Sequence, residues 1–180
     1  LGDPEHVTVI PGNHDAYVPG ALTQTRYHWR PYMMGDSDAG VSFPFVRDRG
    51  LVAIVGVNSA KATAPIRATG HLSQRQLGEL RDRLRTLGEA KKFRVVLLHH
   101  PPAPQFVLKS ARLVEADEFL EVIRDEGAEL VLHGHMHSGS LVYVEGKHGE
   151  VPVVGVPSAA LGMMIVVVML PAIRSKREVA

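Results

Sequence analysis

Three apolar runs, each stopping abruptly at a histidine-bearing polar cluster, constrain this chain more than any other feature. Val7-Thr8-Val9-Ile10 runs into Pro11 and then Gly12-Asn13-His14-Asp15. Phe93–Leu98 runs into His99-His100-Pro101-Pro102, and Leu130-Val131-Leu132 runs into His133-Gly134-His135-Met136-His137. β-Branched or leucine-rich runs of this length, ended by Gly, Pro or Asn, read as buried strands. The reading places three polar clusters at the C-terminal ends of three strands. In open α/β sheets ligands bind at that edge. Histidines far apart in sequence are thereby brought to one region of space.

The segments between these runs alternate in character. A helix is expected near Leu22–Met34, carrying Tyr27, Trp29 and Tyr32, and Leu51–Val57 reads as a buried strand. Ser73 with Gln76 forms a capping-box pattern. Leu77, Leu80, Leu84 and Leu87 then repeat at helical spacing. Glu115–Glu126 is a second helix with Phe119, Leu120 and Ile123 on one face, and Leu141–Val144 with Val151–Val156 reads as a hairpin across Glu145–Glu150. Strands alternating with helices mean an α/β domain, and the hairpin makes part of the sheet antiparallel. A chain of 180 residues is long enough for one domain with its own core.

Composition narrows the chemistry. With no cysteine, disulfides and thiolate metal sites are excluded, so any metal must be held by imidazole, carboxylate or amide. That donor set suits Mn, Fe, Zn, Co or Ni. Five of the ten histidines fall within positions 99–100 and 133–137. A net charge of +1 gives no electrostatic case for nucleic acid or a membrane surface.

Each cluster also has an ordinary reading. His133, His135 and His137 lie on one side if the segment is extended, or splay around a metal pair if it is a loop; a histidine-rich surface turn is the alternative. For His99 and His100, consecutive strand residues face opposite sides, so one ligand is expected and not two. Gly12–Asp15 is a credible turn. There Asn13 offers a carbonyl oxygen to a metal, His14 a proton donor beside it, and Asp15 a carboxylate able to orient a neighbouring imidazole.

Taken together, in this order and at these strand ends, the three clusters resemble the calcineurin-like metallophosphoesterase superfamily. The resemblance covers roughly residues 5–160 and includes Gly56–Ala60 and Gly70–Leu80. These segments look like the bacterial branch that contains cyclic-nucleotide phosphodiesterases. The resemblance implies an α/β fold, a sandwich of mixed β-sheets flanked by helices. It implies two divalent or trivalent metal ions and hydrolysis by a hydroxide that bridges them, the ions lying about 3.5–4 Å apart. It implies Asn13, His99 and His135 as ligands of the second metal, His137 as a ligand of the first, and His14 as the catalytic histidine. His133 lies outside the motif and is expected to be structural. The family also uses a D-x-H motif and a GD-x-x-D-type motif upstream of GNHD, and neither stands in this sequence. The chain is therefore read as N-terminally truncated, lacking the first strands of the fold, the bridging carboxylate and most of the first metal site.

Three functional readings follow. The first is a metal-dependent phosphoesterase whose small substrate is a phosphodiester, a cyclic nucleotide included, or else a phosphomonoester or lipid pyrophosphate. The second is an inactive truncated fragment serving as a non-catalytic scaffold or binding domain. The third is a mononuclear zinc hydrolase using His99, His135 and His137 with water. Tyr27, Trp29 and Tyr32 are expected to pack rather than to line a base-binding cleft, and Lys109 and Arg112 are expected to be ordinary surface charges.

The catalytic domain is placed at residues 1–160 and a separate tail at 161–180. Val151–Ile173 carries no charge, but Pro152, Pro157 and Ser158 interrupt it and Leu161–Leu170 is too short to span a bilayer. Back-translated with ATG and GTC codons, MMIVVVML reads HDDRRRHAA in a shifted frame, so the tail after about Gly162 is expected to be a frameshift product. The chain has no signal peptide or initiator Met and enters a strand almost at once, and it is read as cytoplasmic and as starting inside a domain.

Overall fold

The computed structural model describes residues 2–18, 20–37, 39–64, 67–103 and 109–157, with the backbone of 168–169. Its centre is a six-stranded sheet in the order β2-β3-β4-β5-β7-β6. The strands are β2 (Phe45–Arg49), β3 (Val52–Gly56), β4 (Phe93–Leu98), β5 (Leu130–His133), β6 (Ser140–Gly146) and β7 (Gly149–Gly155). The four inner strands β3, β4, β5 and β7 run parallel, and the edge strands β2 and β6 run antiparallel to their neighbours. A separate antiparallel pair joins β1 (Val7–Thr8) to β8 (Val168–Met169). The mixed α/β architecture is the expected one. Apart from β8, the tail lies outside the described residues.

The inner strands read as unbroken apolar runs because both of their faces are covered. Val55, Val57, Val96, Leu98, Val131 and Val153 join one core with Leu77, Leu80 and Leu84 of α2 (Gln74–Glu89) and Phe119, Val122 and Ile123 of α3 (Ala116–Glu126). The alternate residues Ile54, Val95 and Leu97 join a second core with Val7, Val9, Ile10, Met33, Phe43 and Phe45. The two-residue period of the strand thus sorts one run into two cores.

Several boundaries differ from the sequence reading, each for a local reason. The helix expected at Leu22–Met34 is α1 (Ala21–His28) followed by a 3-10 turn at Arg30–Tyr32, because Pro31 lacks the N–H that would continue it. Trp29 and Tyr32 meet edge to face and both pack against the second core, and Tyr27 is exposed. Strand β2 shows no clear apolar alternation, since Arg47, 3% exposed, takes the inward position next to Phe45. Ser73 does cap α2, its Oγ accepting from Gln76 N at 3.2 Å. The Gln76 side chain, however, leaves the capping box and clamps the Asn58 peptide, accepting from its N–H at 2.9 Å and donating to its carbonyl at 3.0 Å. The hairpin pairs as far as Gly146 and Gly149, leaving a two-residue turn at Lys147-His148.

Among the described residues no helix is long and apolar enough to cross a membrane. A cleft of about 520 Å³ lies away from the histidine clusters, lined among others by Arg85, Arg94, Glu126 and Glu129. Its charges satisfy one another: Arg94 pairs with Glu129 at 2.7 Å and Arg85 with Glu126 at 2.7 Å.

Candidate metal centre

The three clusters meet where the sheet topology delivers them. Parallel β4 and β5 end side by side, with Leu98 opposite His133. His99 and His135 therefore leave the same edge, and Gly134 N donates to the His99 carbonyl at 3.1 Å. Asn13 arrives from the other side on a 3-10 turn at Asn13–Ala16. That turn is closed by Asp15, whose Oδ2 accepts from Gly12 N at 2.8 Å. Asp15 thus holds its own backbone rather than a neighbouring imidazole, and burial raises its pKa, with Gly12 N–H and His14 acting the other way.

Three donor atoms form a triangle. His99 Nε2 lies 2.8 Å from Asn13 Oδ1, His135 Nδ1 lies 3.3 Å from the same oxygen, and the two nitrogens are 3.2 Å apart. Nitrogen and oxygen ligands bound at about 2.1 Å and at tetrahedral or octahedral angles sit about 3.0–3.4 Å from one another. The triangle has the dimensions of one face of such a polyhedron, so the residues fit a transition-metal ion. His100 joins the cluster, with ligand atoms of His99, His100 and His135 all within 4.8 Å of one another.

The backbone is shaped around these rings. A Cβ on Gly12 would stand 2.8 Å from His99 Cε1, and one on Gly70 would stand 2.4 Å from His100 Nδ1. Glycine is required at both places by close approach rather than by a special turn. His135 and His137 adopt left-handed conformations, with φ of 71° and 56°. Side chains rarely take this conformation, which costs about 1–2 kcal/mol per residue, and such residues cluster where a site dictates the backbone.

Burial suppresses protonation across the cluster. Desolvation, with His100, His135, His14 and His133 as further like charges, holds His99 well below its ordinary 6.5. Desolvation, then His137, His14 and His133, pushes His135 down to about 4, against the Ala111 backbone. His100 is pushed down to about 3 by desolvation and His135, partly offset by the Ala68 backbone. Neutral imidazole is the form that ligates metal. The metal-free protein should in turn be acid-sensitive. An unfolded chain titrating near pH 6.5 takes up protons that the folded histidines refuse. Stability is then complete above that pH and is lost as pH falls toward the depressed values. Urea unfolding in EDTA should show a loss on the order of 3 kcal/mol between pH 7 and pH 5; an unchanged stability would contradict the joint burial of these rings.

The remaining residues of interest are distributed as follows. His14 is exposed, its ring edge-on to Tyr17 at 4.8 Å, and His137 is exposed. Among the described residues no hydrogen bond ties either to the triangle. His133 is 3% exposed at the end of β5, its Nδ1 donating to the Gly134 carbonyl at 2.9 Å. Lys109 and Arg112 are exposed. Beside the turn after β5 opens a cavity of about 250 Å³, walled by Pro101, Ala103, Met136 and Val142 among others. The residues that sequence reasoning set aside are Ser59 and His100. Ser59 is fully buried and its Oγ lies 2.8 Å from His100 Nδ1. The Gly56–Ala60 segment was legible as a motif, but nothing in it signals that its serine faces a histidine 41 residues away.

A crystal structure of a dimetal phosphatase from Danio rerio is similar at 19% identity with a TM-score of 0.43, over 49% of this chain. The chain spans 27% of that protein's length. No curated protein matches the chain. Residues 2–139, well over half of the sequence, match the calcineurin-like phosphoesterase family, and the chain belongs to that family.

Proposed function

We propose that this chain carries the second-metal half of a metal-dependent phosphoesterase site, acting on a small phosphodiester, a cyclic nucleotide included, or a phosphomonoester. The observation that supports this best is the triangle of Asn13 Oδ1, His99 Nε2 and His135 Nδ1, with edges of 2.8, 3.3 and 3.2 Å. Bound there, divalent ions would supply Lewis acidity, polarising a phosphoryl oxygen and lowering the pKa of water so that hydroxide is available as the nucleophile. Asn13 contributes a neutral oxygen and the two histidines contribute neutral nitrogens. His137, two residues along the same turn, is assigned to the first metal of a binuclear pair.

His14 has a different task. Its neighbour Asn13 is buried in the triangle while its own imidazole is exposed. It can reach substrate without competing for the metal, either to donate a hydrogen bond to the phosphoryl group or to protonate the leaving oxygen. His14→Ala should lower turnover of bis(p-nitrophenyl) phosphate in Mn²⁺ by about 100-fold or more, as loss of a general acid does. Its metal content should stay unchanged; metal loss in step with activity would contradict the assignment.

A further inference from the structure

His100 is fully buried, and among the described residues its Nε2 has no hydrogen-bond partner. A buried polar nitrogen left in this way costs about 1–3 kcal/mol unless something meets it. The ring is not loose. Its Nδ1 lies 2.8 Å from Ser59 Oγ, and its backbone N–H donates to the same oxygen at 3.3 Å. The backbone of Gly70 presses on its other side, where a Cβ would stand 2.4 Å from the ring. The Ala68 carbonyl lies near enough to favour a proton on the ring, yet it makes no hydrogen bond with Nε2. The ring centroid is 4.5 Å from that of His135 and 4.9 Å from that of His99.

We infer that His100 is a further metal donor, so that this chain holds one transition-metal ion through three imidazoles, His99, His100 and His135, and the Asn13 amide oxygen. The inference rests on the metal-binding part of the proposed function and not on its chemistry. With Nδ1–H donating to Ser59 Oγ, Nε2 presents its lone pair. This is the arrangement of metal-bound histidines, whose second nitrogen donates to a nearby oxygen. One ring nitrogen from each of His99, His100 and His135 lies within 4.8 Å of the others. Donors on one tetrahedral ion are about 3.4 Å apart, so closure asks for a shift of up to roughly 1.4 Å along the longest edge. The site is complete without a bridging carboxylate, and it replaces His137 by His100 in a mononuclear centre. His137 is exposed on the turn beyond.

X-ray absorption at the zinc edge, on the chain loaded with one equivalent of Zn²⁺, counts the imidazoles directly. Three are expected in the parent and two in His100→Phe, with zinc affinity at least 10-fold weaker in the variant. Ser59→Ala keeps the ring but removes its anchor, and it should weaken zinc by about 10-fold or more. It serves as the second probe should His100→Phe melt early in EDTA. Two imidazoles in the parent would overturn the inference. So would three that persist in His100→Phe, which would mean that another histidine supplies the third. Absent phosphoesterase turnover would count against the proposed function and would leave the imidazole number unchanged.

Discussion

Replacing His99 by alanine is expected to weaken binding of a divalent ion by more than about 100-fold, because even the partners that merely orient a metal ligand are worth about 10–100-fold. His99 Nε2 is the vertex that touches both other donors, at 2.8 Å from Asn13 Oδ1 and 3.2 Å from His135 Nδ1. Without it the remaining pair are 3.3 Å apart and lose the one atom that touches both. The ring is 1% exposed and packs on the Gly12 backbone, so its removal also opens a cavity. Above about pH 6.5 the variant should therefore be less stable than the parent. The gap should narrow as pH falls, since the variant lacks one of the groups that resist protonation in the folded state. Titration calorimetry with Zn²⁺ and urea unfolding at two pH values read both effects. Undiminished affinity would remove His99 from the site.

Arg47→Met is expected to destabilise the protein by about 3 kcal/mol. The guanidinium is 3% exposed and donates only to carbonyls: Met34 at 2.8 Å, Pro4 at 2.7 Å, Val7 at 2.8 Å, and Pro31. Burial and neighbouring Arg49 lower its proton affinity, and Asp36 acts the other way. Methionine retains the apolar stem and leaves those carbonyls without a donor. Three of them can recover water, but the Val7 carbonyl is buried with its bond, which keeps the estimate near the lower end for a broken buried charge. Since Val7 begins the segment that leads to Gly12 and Asn13, the metal affinity of the variant should fall as well, although Arg47 makes no contact with the triangle. A loss below about 1 kcal/mol in urea unfolding would show that the four bonds do not tie that segment to β2.

Local pattern was a sufficient guide wherever one kind of burial extended along a whole element. Phe93–Leu98 is legible as a strand because both of its faces enter apolar cores, and α2 because Leu77, Leu80 and Leu84 fall on one buried side. It was insufficient where a polar group is satisfied from a distance. Strand β2 hides behind Arg47, whose acceptors come from segments up to 43 residues away. Gln76 fits a capping box by spacing, yet it bonds to Asn58. Consecutive residues face opposite ways only in a regular strand, and β4 ends at Leu98, just before His99 and His100. Beyond that point the chain is free of the pleat, and both rings are buried 4.9 Å apart.

By itself the sequence determined the donors on offer, because residue type sets ligand chemistry, and it determined that they stand at strand ends, because apolar runs stop there. Only the tertiary structure decided which of them meet. Asn13 and His135 are 122 residues apart and lie within 3.3 Å, while His137 stands two positions from His135 and is exposed. Proximity of that kind is set by the order of parallel strands and by how each chain end turns away from the sheet. Those are properties of the packed cores, which no local spacing encodes.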